Sequence, residues 1–275
     1  NIRETTAVFL ASGIDPTKSI IFNQSMVPSH SEGAWLLGCV ARMGWLNRMT
    51  QFKEKAGKDK EKASVGLYVY PVLMAAAILL YDTTHVPVGN DQKQHLELCR
   101  DIAQKFNNDF GKKDFLRVPE PLIQENFSRI MSLKNGLNKM SKSDPSDASR
   151  INLTDTREQI INKIKKAKTD NLSMPTSKDE LRNRPEINNL VEIYSSFTDE
   201  NLVKSLNNLN GKSFSDLKNL ISEILVEQIE PIGKKINELL KDRDYLDKIL
   251  LEGSIKANNI ADKKVKELKE IIGLK

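Results

Sequence analysis

Lys139 and Lys142 stand three positions apart in Leu137-Asn138-Lys139-Met140-Ser141-Lys142-Ser143-Asp144-Pro145, among small hydroxyl residues. That pattern makes a cationic loop able to close on a triphosphate. An ammonium donates as a point charge, so it tolerates phosphate oxygens that move during a reaction. An arbitrary lysine pair would be a solvated loop with no ligand, and the full five-residue string sets this pair apart. A second feature lies upstream. His85-Val86-Pro87-Val88-Gly89 reads as a short strand ending in a glycine turn, and Gln92 to Phe106 reads as the helix that follows. Strand, turn and helix start place backbone N–H groups where they can hold a phosphate, although the same turn joins ordinary α/β units. Neither His85 nor His95 sits in a metal-ligand cluster, so both read as structural or hydrogen-bonding residues. Cys39 and Cys99 form no Cys-x-x-Cys motif, which argues against a zinc site or a disulfide framework and for a reducing compartment.

Lys139-Met140-Ser141-Lys142-Ser143 resembles the second signature of class I aminoacyl-tRNA synthetases. Three other strings narrow the resemblance to the tryptophanyl-tRNA synthetases of bacterial type: Leu46-Asn47-Arg48-Met49-Thr50-Gln51-Phe52-Lys53, Val86-Pro87-Val88-Gly89-Asn90-Asp91-Gln92-Lys93-Gln94-His95 and Ser128-Arg129-Ile130-Met131-Ser132-Leu133. The C-terminal half is similar too, from Arg184-Pro185-Glu186 through Ile193-Tyr194-Ser195 to Ile260-Ala261-Asp262. The resemblance covers essentially the whole chain. It implies a Rossmann-type α/β catalytic domain that makes tryptophanyl-adenylate from tryptophan and ATP with Mg²⁺, then passes tryptophan to tRNA(Trp). It also implies a cytoplasmic homodimer with a helical C-terminal domain on the anticodon side. Carried to matching positions, Gly89, Asn90 and Asp91 line the nucleotide and Ile130 touches its adenine side. Lys139, Met140, Ser141, Lys142 and Ser143 close on the phosphates, with Lys139, Lys142 and Ser143 as the catalytic set and Lys142 leading. Met74, Ile78, Val86 and Val88 form an apolar slot for the indole, with Tyr70 and Gln92 polar at its edge.

The chain departs from the family in three places. Where the family has an aspartate accepting the indole N–H, this chain has Ala77 in Tyr70-Pro71-Val72-Leu73-Met74-Ala75-Ala76-Ala77. A buried N–H left unpaired costs about 1–3 kcal/mol, so tryptophan binding is expected to be about ten- to a hundredfold weaker. Asn90 replaces a usual acidic residue, a smaller change. No His-x-Gly-His or His-x-Gly-Asn string, the first signature of the class, occurs, and His30 does not supply one. The chain alone is therefore expected to be nearly inactive, with a non-catalytic relative that keeps nucleotide or RNA binding as the alternative. A third reading, a basic helical binding protein, would use Lys163, Lys165, Lys166 and Lys168.

The elements that position these residues must come from 275 residues, room for one large domain or two ordinary ones. Charged residues make up 29% and apolar residues 39%, with a net charge of +5, values of a packed protein that permits a polyanionic partner. The longest apolar run, Val72 to Tyr81, is about half of a membrane span, so membrane insertion is not expected. The pattern predicts an α/β part followed by a helical one, and the resemblance implies that the first is a Rossmann-type catalytic domain over 1–136, incomplete at its N-terminus. A mobile loop over 137–150 and a helical domain over 151–275 follow, the last helix packing back on the catalytic part. Within the first part, Asn1 to Leu10 reads as a helix already under way, Ser19 to Asn23 as a buried strand, and Lys53 to Lys62 as a solvated loop. Pro71 is expected at the start of a buried helix. Trp45, Leu46 and Met49 are candidates for a dimer contact or for core. Beyond the loop, Asp155 and Glu158 suggest a capping box, 169–184 a long loop, and Pro231 the end of one helix and the start of another.

Overall fold

The computed structural model describes residues 1–56, 62–89, 92–123 and 129–274. Asn90 and Asp91 lie outside the described residues, as does part of the expected loop at 53–62. The elements are α1 (Ile2–Ala11), α2 (Ser29–Gly38), α3 (Met43–Leu46), α4 (Thr50–Ala56), α5 (Val65–Leu79), β1 (His85–Pro87), α6 (Lys93–Asp109) and β2 (Glu120–Leu122). Then come α7 (Arg157–Lys165), α8 (Lys178–Leu181), α9 (Pro185–Thr198), α10 (Leu202–Leu209), α11 (Phe214–Leu239) and α12 (Arg243–Ile271).

Two compact units result, one from Asn1–Asp15 with Glu125–Asp247 and the other from Pro16–Gln124 with Lys248–Lys275. The linear division expected from sequence, 1–136, 137–150 and 151–275, differs from this grouping because both terminal helices belong with distant segments. Ala7 of α1 shares a buried cluster with Ile236, Leu239 and Leu246. Ala257, Ala261 and Leu268 of α12 are buried with Leu37, Leu79 and Ile102.

In the unit of 16–124 and 248–275, β1 and β2 pair in parallel, with His85 opposite Glu120 and Pro87 opposite Leu122. The crossover between them is α6, whose buried face of Leu96, Cys99, Ile102, Ala103 and Phe106 packs the core. Such a strand–helix–strand unit carries its ligand groups beyond the strand C-terminal ends. Asn107 holds the approach to β2: its Oδ1 accepts from Leu116 N–H at 2.9 Å and its Nδ2 donates to Leu116 C=O at 2.8 Å. The segment 19–23 is not a strand. Ile21 lies against Gly253 of α12, and Asn23 caps a short 3₁₀ turn, Gln24–Met26, by accepting from Ser25 N–H at 3.3 Å. Ile20 is exposed and the Ile21 backbone meets α12, so a run that suits a strand by composition is none.

Pro71 does not start α5 but sits inside it. Ser64 caps the helix by accepting from Leu67 N–H at 3.2 Å, about two turns before Pro71. Likewise α11 runs through Pro231 as one helix. A proline inside a helix removes one hydrogen bond, and burial of the surrounding faces keeps both helices continuous. The capping box of α7 is Thr156 with Gln159, one residue beyond the expected pair. Residues 53–56, the end of α4, are helical where a loop was expected, and α8 interrupts the loop expected over 169–184.

Candidate nucleotide and amino-acid sites

Tyr70, Met74, Ala77 and Ile78 follow the i, i+4, i+7, i+8 spacing that puts side chains on one helix face. All four are half-buried, whereas Val72, Ala75, Ala76 and Leu79 of the same helix are buried. α5 thus presents one face to the core and a second, apolar and part-open face that ends at Tyr70. Val86 and Val88, half-buried, pack with Ile78 against the same core as β1. The Tyr70 hydroxyl donates to Gln51 Oε1 at 2.9 Å and lies 2.7 Å from His95 Nε2. One hydroxyl proton serves one acceptor, so the pattern closes when His95 donates from Nε2. Burial raises the Tyr70 pKa, keeping the group a donor. His95 is therefore the structural, hydrogen-bonding histidine that its sequence context suggests. Gly89 is exposed at the end of β1 and its carbonyl accepts from Gln92 N–H at 3.0 Å, with Gln92 as the N-cap residue of α6. Beside it, Gln94 fastens the 46–53 string to α6. Its Oε1 accepts from Thr50 N–H at 2.9 Å and Oγ1 at 3.0 Å, and its Nε2 donates to Arg48 C=O at 3.2 Å.

In the unit of 1–15 and 125–247, the lysine loop rises from a short antiparallel ribbon. Met131 bridges Lys139, Met140 N–H donates to Ile130 C=O at 3.0 Å, and Ser132 N–H donates to Asn138 C=O at 2.8 Å. Ile130 and Met140 are half-buried beside the helical core, and Lys139 is exposed. Beyond Met140 the ties are local. Ser141 Oγ accepts from Ser143 N–H at 3.3 Å and lies 2.9 Å from Ser143 Oγ, while Asp144 N–H reaches Ser141 C=O at 3.3 Å. Lys142 and Ser143 are exposed, and neither Lys139 nor Lys142 makes an ion pair among the described residues. Two free ammonium groups on a tethered stem with a loosely held apex are what closure on a phosphate chain requires.

The far side of the loop is anchored by charge. Lys163, buried on α7, pairs with Asp155 at 2.6 Å and with Asp147 at 2.7 Å, and Arg150 pairs with Asp147 at 3.3 Å. The hydrogen bond to Lys163, the largest cause, holds the Asp147 carboxyl below its ordinary pKa. Arg150 Nη1 also donates to Asp144 C=O at 2.9 Å. These contacts take Lys163 out of the basic cluster of Lys163, Lys165, Lys166 and Lys168 that a basic helical binding protein would use. Lys163 is buried, Lys165, Lys166 and Lys168 are exposed, and Lys168 pairs with Glu186 at 2.9 Å. Lys218 closes the end of α7 by donating to Ala167 C=O at 2.7 Å, and burial lowers its pKa. The residue that sequence reasoning missed is Asn189 of α9. It is 1% exposed, and its carboxamide takes Met131 N–H and gives to Met131 C=O, both at 2.8 Å. Nothing in the string Ile187-Asn188-Asn189-Leu190 marks one asparagine over the other. Burial on the helix face does.

A family profile described as tRNA synthetases class I (W and Y) matches residues 1–229. The tryptophan–tRNA ligase of Caulobacter vibrioides is 52% identical, over 98% of this chain and 79% of that protein. That of Rickettsia conorii is 54% identical, over 99% of this chain and 82% of that protein. Among solved structures, the tryptophanyl-tRNA synthetase of Mycoplasma pneumoniae matches with TM-score 0.82 at 33% identity, over 99% of this chain and 82% of that one. The Campylobacter jejuni enzyme, complexed with ADP and tryptophan, matches with TM-score 0.77 at 34% identity, over 99% and 82%. The expected fold class, a Rossmann-type α/β domain with a helical C-terminal region, holds. Profile, relatives and fold agree, and the chain belongs to the class I tRNA synthetases of the W and Y group.

Proposed function

We propose that the protein activates tryptophan with ATP and transfers it to tRNA(Trp), the 275 residues alone, which lack the first class signature, doing so weakly at most. The observation that carries the reading is the Lys139–Ser143 loop: two unpaired ammonium groups on an anchored ribbon, in a chain half identical to tryptophan–tRNA ligases. In the activation step the tryptophan carboxylate attacks the α-phosphate. A carboxylate–phosphorus bond forms, the bond to the β-phosphate breaks, and pyrophosphate leaves with the negative charge. Lys142, at the apex, meets that developing charge first, with Lys139 and Ser143 beside it. Contacts made as the loop closes favour the transition state over bound ATP, which is what raises turnover. Gly89, Asn90, Asp91, Ile130, Met140 and Ser141 take the rest of the nucleotide. Met74, Ala77, Ile78, Val86 and Val88 take the indole, and Tyr70 and Gln92 its polar edge. In the second step a terminal tRNA hydroxyl attacks the mixed anhydride and AMP leaves.

Magnesium enters this reading as MgATP, the form in which the substrate carries its own counterion. Among the described residues no cluster of three or more carboxylate, imidazole or thiol groups is placed to hold a metal. The same reading takes the helical part after the loop as the anticodon side and the protein as a cytoplasmic homodimer. Its support is the family resemblance. Among the described residues no helix is long and apolar enough to cross a membrane.

Calorimetric titration tests the reading. The chain is expected to bind ATP, and to bind tryptophan in preference to tyrosine. Failure to bind either substrate would overturn the reading. Tryptophan-dependent exchange of pyrophosphate into ATP then separates the readings of activity. The missing first signature predicts little exchange by this chain, and substantial exchange would refute that expectation. Binding of ATP or RNA with no affinity for tryptophan would favour the non-catalytic alternative.

A further inference from the structure

We propose that Asn189 is a positioning residue for the lysine loop, fixing the ribbon that carries Lys139 to helix α9. This rests on the reading above, in which the loop closes on a triphosphate. Met131 and Lys139 face each other as a non-hydrogen-bonded antiparallel pair, because the flanking bonds are Met140 N–H to Ile130 C=O and Ser132 N–H to Asn138 C=O. In such a pair the N–H and C=O of each residue point outward, away from the partner strand. The outward groups of Met131 would be orphans at a partly buried edge. Asn189 supplies both missing partners from a single side chain, at 2.8 Å each, and does so from a position 1% exposed. It replaces a third strand with one carboxamide.

α9 is a firm support for that carboxamide. Ile187, Leu190 and Val191 around it are buried in the helical core. The same helix touches the ribbon a second time at its N-terminus. Gly136, in the turn between the two ribbon strands, faces the backbone of Pro185 and Glu186 so closely that a Cβ would strike it. Both contacts end before Ser141, where the loop's remaining bonds are its own hydroxyls. The ribbon with Lys139 is thus referenced to α9, and the freely closing part starts at Ser141. Loss of Asn189 would loosen Lys139 and unsettle the base from which Lys142 swings. Groups that hold tryptophan on α5 and β1 would be untouched.

The test compares the parent chain with Asn189→Ala and Asn189→Asp. The aspartate keeps the acceptor for Met131 N–H and loses the donor to Met131 C=O, so it remains informative if the alanine variant fails to fold. The readouts are ATP and tryptophan affinities by titration, and amide hydrogen exchange over residues 139–143 with and without ATP. Both variants are expected to weaken ATP by about tenfold, the scale of one buried hydrogen bond, with tryptophan affinity unchanged. ATP-dependent protection at 139–143 is expected in the parent and lost in Asn189→Asp. Parent-like ATP affinity and protection in a folded variant would overturn the proposal, as would equal weakening of both substrates, the mark of a merely structural role. Absence of ATP binding by the parent would overturn the functional reading and this proposal with it.

Discussion

At the scale of single residues, position 77 gives the sharpest prediction. Ala77 lies on the half-buried face of α5 with Tyr70, Met74 and Ile78. A carboxylate placed there is positioned as the family's aspartate is expected to be, so Ala77→Asp should tighten tryptophan binding by about tenfold or more, the value of one buried hydrogen bond to a charged acceptor. Unchanged affinity in a titration would mean that this face does not hold the indole. His30 gives a prediction about pH. It is buried, with Nε2 2.7 Å from the Tyr81 hydroxyl, and burial lowers its pKa from the ordinary 6.5. The folded state keeps it neutral while the unfolded state takes up a proton. Stability is therefore full above pH 6.5 and declines as pH falls from there toward the folded-state pKa. In His30→Gln that part of the decline should vanish in urea titrations across this range, and an unaltered pH slope would contradict the assignment. Lys139 and Lys142 were legible as chemistry through the full five-residue string around them, since a lysine pair at that spacing is by itself an ordinary solvated loop. Asn189 was not, since an asparagine declares its role only through what buries it.

Elements were legible where one periodicity ruled. The faces of α6, α7 and α11 follow from their apolar spacing, and β1 from a short β-branched run ending in glycine. Punctuation misled where tertiary burial outweighed it, as at Pro71 and Pro231, each inside a helix. The segment 19–23 misled for a related reason: its backbone at Ile21 lies against α12. There Gly253 leaves no space for a side chain, since a Cβ would strike the Ile21 carbonyl. Gly253→Ala should destabilise the protein by about 1–3 kcal/mol through overpacking, and a parent-like unfolding midpoint would show that the segment yields easily. The Lys163 network is the second test at this scale. Lys163→Met removes the partner of a carboxylate, Asp155, that is 6% exposed. Leaving that charge buried should cost about 3–5 kcal/mol, far more than the loss of any exposed pair. Asp155→Asn made together with Lys163→Met should recover part of the loss, and a double variant no better than the single one would contradict the pairing.

For the whole molecule, the α/β beginning and helical end were legible from composition and pattern. The return of the last helix to the first part was expected, whereas the joining of α1 to the second half was not, because which distant face a terminal helix meets depends on packing that local sequence does not encode. A net charge of +5 suits a polyanionic partner. In the proposed reading tRNA binding should fall steeply with salt through counterion release. Of the basic cluster at the end of α7, Lys163 is buried and Lys168 is paired with Glu186, while Lys165 and Lys166 are exposed and able to contribute to that slope. The central claim is that the lysine loop engages the phosphates of ATP, and the most direct measurement is ATP affinity in the parent, Lys142→Ala and Lys139→Ala chains. The parent should bind ATP, and each variant should bind it about tenfold or more weakly with Lys142→Ala the worse, as loss of a charge-assisted phosphate contact requires. Equal affinity in all three chains would contradict the account.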